Sequence, residues 1–68
     1  MNDATTLTMI WNPGSSYEVV EHTTFDVFAA ENDPEDVALV AALEPGGVVR
    51  FGGGSEQTID VSIEAVPA

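Results

Sequence analysis

Acid-base or metal chemistry in this chain would have to come from one histidine, His22, and twelve carboxylates, because cysteine is absent. Ser16, His22 and Asp26 can be written as nucleophile, base and acid, but an activated serine sits on a sharp strand-to-helix elbow that holds its hydroxyl against the base. No such context surrounds Ser16. Structural zinc draws on several Cys or His ligands, so His22 reads as a surface residue at the end of a hairpin. A calcium loop alternates oxygen ligands around a sharp glycine turn and closes on a glutamate. Asp33-Pro34-Glu35-Asp36 lacks that spacing and reads as the start of a helix or turn. Gly52-Gly53-Gly54 lacks both the GxGxxG spacing and the Lys-Ser/Thr of a phosphate cradle, which leaves a loop hinge. Paired carboxylates do acid-base work only in a cleft that drives their pKa values apart, and a domain of 68 residues seldom encloses one. The expectation is a protein that is not an enzyme and has no catalytic residue, metal or cofactor.

What remains is contact chemistry. Twelve carboxylates face Arg50 alone, with no lysine, for a formal net charge of -11. Phosphate binding needs Lys and Arg to displace counterions, and anionic lipid needs the same cations, so direct nucleic-acid and membrane binding are excluded. Three causes of the acidity compete: adaptation to a salt-rich medium, a surface that meets a basic partner or mimics a nucleic-acid backbone, and ordinary solubility. Loss of every lysine looks like drift across the whole composition, which favours the first. The candidate partner-binding residues are the aromatics Tyr17 and Phe51, which become hot spots if exposed, and the acids Glu18, Glu21, Asp60 and Glu64. Arg50 reads as a tie for local carboxylates.

A chain this short buries only about 60% of the surface its unfolded form exposes. Val, Ile, Leu and Phe together number 18 of 68 residues, above the ~20% below which high charge goes with disorder, so one folded domain is expected over 1–68. There is no N-terminal apolar stretch with a basic start and no run near ~18 apolar residues. The expected location is therefore the cytoplasm or a virion.

The elements that would carry these residues follow from periodicity. Thr5 to Trp11 reads as a strand, with Leu7, Met9 and Trp11 on one face and Thr6, Thr8 and Ile10 on the other. Asn12-Pro13-Gly14-Ser15 has proline and glycine at the central positions of a turn, and Tyr17 to Glu21 alternates again, completing a hairpin. Thr24 is placed to cap a short helix with Asp26 in its first turn and Phe25, Phe28 and Ala29 on one face. Residues 34 to 43 admit two readings. Asp33 and Pro34 start a helix well, whereas Val37 to Leu43, apolar on both sides and closed by Glu44-Pro45-Gly46-Gly47, also suits a buried strand. Val48 to Phe51 is a short strand, Gly52 to Ser55 a flexible connection. Thr58 to Val66 is a strand with Ile59, Val61, Ile63 and Ala65 inward and Thr58, Asp60, Ser62 and Glu64 outward.

That order, over "YEVVEHTTFDVFAAENDPEDVALVAALEPGGVV" at residues 17 to 49, resembles the β-grasp of small sulfur carriers and ubiquitin-like modifiers. The resemblance implies an α+β fold of β-grasp type, a mixed sheet of four to five strands with one helix. Carriers of that family are activated at a terminal Gly-Gly, which this chain replaces with Ala65-Val66-Pro67-Ala68, so the fold is expected to carry over without the carrier chemistry. The fold alternative is ββααββ with two helices. The expected function is a non-enzymatic protein-protein binding or assembly module, an accessory or structural virion protein of a halophile or its virus. The alternatives are an acidic nucleic-acid mimic and a ubiquitin-like modifier or sulfur carrier.

Overall fold

The computed structural model describes residues 1–52 and 57–64. Six elements follow in the order β1 (Thr6–Trp11), β2 (Val19–Thr24), α1 (Phe25–Glu31), α2 (Pro34–Ala41), β3 (Val48–Phe51) and β4 (Ile59–Ile63). The four strands form one sheet in the order β2-β1-β4-β3, antiparallel at every pairing. This is the ββααββ alternative: the buried-strand reading of 37 to 43 and the mixed one-helix sheet are both corrected.

The two corrections have one cause. With every neighbour antiparallel, β3 starts at the end of the sheet where β2 finishes, so the connection must leave that end and come back to it. Two helical legs do so. A single helix would deliver the chain to the opposite end, reverse β3 and β4, and make β4 parallel to β1, which is the mixed sheet expected from one helix. Residues 34 to 41 take the helical option because Pro34 occupies the first helical turn, where its missing N–H costs nothing. Ala38, Leu39 and Ala41 are strong helix formers, and Val37 and Val40, three apart, fall on one side of a helix. In a strand those two valines would point to opposite faces.

Neither helix uses its expected side-chain cap. Thr24 and Asp33 stand at the N-cap positions with extended backbone, but neither side chain bonds a backbone N–H of its helix. The Thr24 hydroxyl instead donates to the Asp26 carboxylate, which holds that carboxyl below its ordinary range. Asn32 ties the end of α1 by donating its amide to the Phe28 carbonyl at 2.8 Å.

The helices cover one sheet face, and among the described residues nothing covers the other. On the covered face the cross-strand rows are Val19-Trp11-Ile59-Phe51, Glu21-Met9-Val61-Val49 and Thr23-Leu7-Ile63. Leu7 and Val61 from these rows meet Phe28 of α1 and Val40 of α2 to form the buried core, with Phe25, Val37 and Leu43 packed against it. Phe25 with Phe28, and Val37 with Val40, supply the three-residue spacing that keeps each helix turned to the sheet. The result is thin, 31 × 29 × 16 Å, as two layers require.

Local chemistry sets the turns. Gly14 has φ 80°, the left-handed value that the third position of a type II turn demands, and Ser15 N–H donates to the Asn12 carbonyl at 3.2 Å. Gly46, also left-handed at φ 83°, sends its N–H to the Ile63 carbonyl at 3.1 Å, so the α2-β3 connection is fastened to β4. β2 runs three residues further than the alternation of Tyr17 to Glu21 suggests, because the β-branched pair Thr23-Thr24 extends it. Tyr17 precedes the strand. Ala65 and Val66, read as the end of the last strand, lie outside the described residues, as do most of the Gly52 to Ser55 connection.

Candidate interaction surface

The open sheet face is built by the strand positions that alternate with the core. Its rows are Val20-Ile10-Asp60-Arg50, His22-Thr8-Ser62-Val48 and the pair Thr24-Thr6. Val20 and Val48 are 54% and 58% exposed. Its strand positions carry one carboxylate, Asp60, and it is paired: Arg50 Nε and Nη2 donate to the two Asp60 oxygens at 2.7 and 3.0 Å. His22 Nδ1 lies 3.3 Å from the Thr8 hydroxyl. In a chain of net charge -11 the strand positions of this face are therefore close to neutral at pH 7.

The other layer is the reverse. Asp26, Glu31, Asp33, Glu35 and Asp36 fall within eleven residues on and between the helices, and Glu21 projects from β2 on the same side of the sheet. Glu21 and Glu31 flank a cleft of about 210 Å³ with Trp11, Thr23, Phe28 and Asn32. The Trp11 indole N–H, which belongs to this wall, is buried and has no hydrogen-bond partner among the described residues. The cleft is smaller than the ~300–1,000 Å³ of small-molecule sites and has the size of a side chain.

The candidate binding residues do not form one surface. Tyr17 stands 65% exposed beside Asn12, Pro13, Ser15, Arg50 and Thr58 in a second cleft of about 190 Å³. Phe51, offered by the sequence as an exposed anchor, is half-buried against the core, because its β3 position alternates with Arg50 and turns to the helices. Glu18 is used locally, accepting the Gly14 N–H at 3.0 Å. Glu21 faces the helical layer, Asp60 faces the open side, and Glu64 is exposed just beyond β4. Ser16, His22 and Asp26 are not joined either: His22 pairs with Thr8, and Asp26 with Thr24. Periodicity already placed Asp60, Ser62 and Thr8 away from the core, but only the strand order reveals that Arg50 neutralises Asp60 and that no other strand position on this face carries a carboxylate.

Among the described residues no strand pairs with the outer edge of β2 or of β3. Phe25 N–H donates to the Thr5 carbonyl at 2.9 Å, which sets the phase of the β1-β2 ladder. By the alternation of antiparallel pairs, Val20, His22 and Thr24 then turn their N–H and C=O groups outward. The same reasoning from Ile63 N–H to the Gly47 carbonyl at 3.4 Å turns Val48 and Arg50 outward on β3.

The Arg50–Asp60 pair has a pH signature. Hydrogen bonding from Arg50 holds the Asp60 carboxyl below its ordinary range, against the opposing pull of partial burial. A depressed carboxylate contributes stability above its unfolded pKa of about 3.9, and that contribution is lost as pH falls through the lower folded value. The Arg50 side chain is 61% exposed, so the effect is small. Asp60→Asn is expected to melt slightly below wild type at pH 7, with the gap closing as the pH drops below about 4. Thermal melts of both proteins from pH 7 to 3 test this, and a gap that widens in acid contradicts it.

Among the described residues no helix is long and apolar enough to cross a membrane, and no group of three or more His, Cys, Asp or Glu side chains is placed to hold a metal ion. No family model, characterised protein or solved structure matches this chain.

Proposed function

We infer that this domain is a non-enzymatic protein-protein binding and assembly module, working at high salt as an accessory or structural component of a halophile or its virus. The observation that carries this reading is the partition of charge between the two layers. Carboxylates on the helical side keep the domain solvated, while the sheet presents threonine, valine, isoleucine and serine, with one internally paired carboxylate. Screening at molar salt weakens contacts made by charge and leaves apolar and backbone contacts intact, and open strands such as β2 and β3 can accept another strand. Tyr17, with its large exposed ring, is the aromatic best placed to anchor such a contact; Phe51 is committed to the core.

The acid-rich helices give a specific reason to keep a second reading, a mimic of the nucleic-acid backbone that binds a basic protein. Salt separates the two. The wild-type chain is immobilised, and proteins of the source cell are captured at 0.1 M and 2 M KCl beside Tyr17→Ala, Val20→Asp and the helical-layer variant Glu35→Gln/Asp36→Asn. The assembly reading expects capture that persists at 2 M and is reduced at least tenfold by Tyr17→Ala or Val20→Asp. Capture seen only at 0.1 M and abolished by Glu35→Gln/Asp36→Asn replaces assembly with mimicry.

A further inference from the structure

We propose that the open sheet face is the contact surface for a second copy of this chain, two sheets packing face to face through Thr8, Ile10, Val48 and Ser62 about a two-fold axis. This rests on the reading of the domain as an assembly module and specifies one of its partners. Charge selects the occupant. Two chains of net charge -11 repel in any arrangement that brings their helical layers together, and the strand positions of the open face, flanked by Glu18 and Glu64 at their ends, are where they can meet with the fewest apposed carboxylates. A strongly basic partner finds no free anion at the strand positions, since Asp60 is already held by Arg50, and it would be drawn to the helical side, where Asp26, Glu31, Asp33, Glu35 and Asp36 cluster.

The face is also self-complementary. Its one cation and one anion stand side by side across β3 and β4 and neutralise each other, so two copies meet there without an unmatched strong charge at the strand positions. An isologous contact repeats every match twice. The remaining side chains, threonine, serine, valine and isoleucine, are the β-branched and small residues that pack between sheets about 10 Å apart. Four strands of four to six residues make a face roughly 20 Å on a side at strand spacing and rise, which puts the contact at the small end of the ~800 Å² per partner that a standard interface buries.

Sedimentation equilibrium of the full chain from 10 µM to 1 mM, in 0.1 M and 2 M KCl, is the primary test. A monomer at low salt and a doubled mass at 2 M KCl are expected, because salt relieves the long-range repulsion between copies and leaves the neutral contact. Thr8→Asp and Ser62→Asp place a carboxylate in the middle of the face and are expected to weaken the dimer at least tenfold, while Glu35→Gln on the helices leaves it unchanged. Amide chemical shifts of wild type on dilution provide a reading that does not depend on the folding of any variant; shifts concentrated at Thr8, Ile10, Val48 and Ser62 are expected. A monomer at every salt and concentration overturns the proposal, as does a dimer indifferent to both aspartates or one whose dilution shifts fall on α1 and α2. A monomer that still captures a different protein at 2 M KCl removes the second copy and leaves the assembly reading standing.

Discussion

A Phe28→Ala chain will be largely unfolded in dilute buffer at 25 °C. Phe28 is 2% exposed and is the one aromatic among the four buried core residues of the described chain, with Leu7, Val40 and Val61. Deleting a buried phenylalanine side chain costs about 3–5 kcal/mol through lost transfer energy and the cavity left behind. A domain of 68 residues has a total stability of roughly 3–10 kcal/mol by the usual per-residue figure, and an acidic chain in dilute buffer falls toward the low end of that range. Phe28 also joins the layers: it stands on α1 and shares one buried cluster with Leu7 and Val61 of the sheet and Val40 of α2. Val27→Ala, one position earlier and on a side chain that is 45% exposed, is the matched control and should change stability little. Far-ultraviolet circular dichroism with Trp11 fluorescence reads the outcome. A Phe28→Ala chain that retains cooperative melting within a few degrees of wild type would show that the packing between helices and sheet contributes far less than its burial indicates.

The second expected result is a melting temperature that climbs by roughly 5–20 °C between 0.05 M and 2 M KCl, corresponding to about 1–3 kcal/mol at the ~4–8 °C per kcal/mol typical of small domains. The radius of gyration is 11.8 Å, comparable with the Debye length of about 10 Å at 0.1 M and several times the ~3 Å at 1 M. At low salt the carboxylates therefore act on one another across the whole molecule, and at molar salt each acts on its immediate neighbours alone. The concentration of Asp26, Glu31, Asp33, Glu35 and Asp36 along the helices makes that layer the main source of repulsion. Glu35→Gln/Asp36→Asn should accordingly raise the low-salt melting temperature and flatten the slope against salt. A melting temperature that is flat or falls with KCl would mean that self-repulsion does not limit this fold.

Strand pattern and strand register were unequally legible in the sequence. β1 and β4 were readable residue by residue, because Leu7, Met9, Trp11 and Ile59, Val61, Ile63 alternate with Thr6, Thr8, Asp60 and Ser62, with Ile10 the one apolar residue on the other face, and the structure turns those sets to the core. The helical leg at Pro34–Ala41 was ambiguous because a short apolar run satisfies two periods at once, and the structure decides it through Val37 and Val40, which share a helix side. Sheet polarity could not be read independently, since it follows from whether one helix or two connects β2 to β3. The candidate surface was less legible than the fold. Glu18, Glu21, Asp60 and Glu64 are all acidic and near strands, yet their partners and faces depend on strand order, which is a property of the whole chain. The neutral face was hidden for the same reason: Arg50 and Asp60 are ten residues apart in sequence and become neighbours only when β3 lies beside β4.

The strand order β2-β1-β4-β3 also governs the timing of synthesis. Each hairpin, β1-β2 and β3-β4, is local and can form as soon as it leaves the ribosome, but the seam between them joins Leu7–Trp11 to Ile59–Ile63. That seam is the centre of the sheet, and it is made from opposite ends of the described chain. Until Ile59–Ile63 has emerged, β1 has an unpaired inner edge, with Leu7, Met9 and Trp11 lacking their β4 neighbours. Pairings across such sequence separation are slow to close, and an unpaired apolar strand is a template for pairing with another chain. The nascent protein thus passes through a stage in which a strand that supplies the core is open on the side that later becomes the centre of the sheet, and the repulsion of its carboxylates, which weakens the finished fold at low salt, is at that stage what keeps neighbouring chains apart.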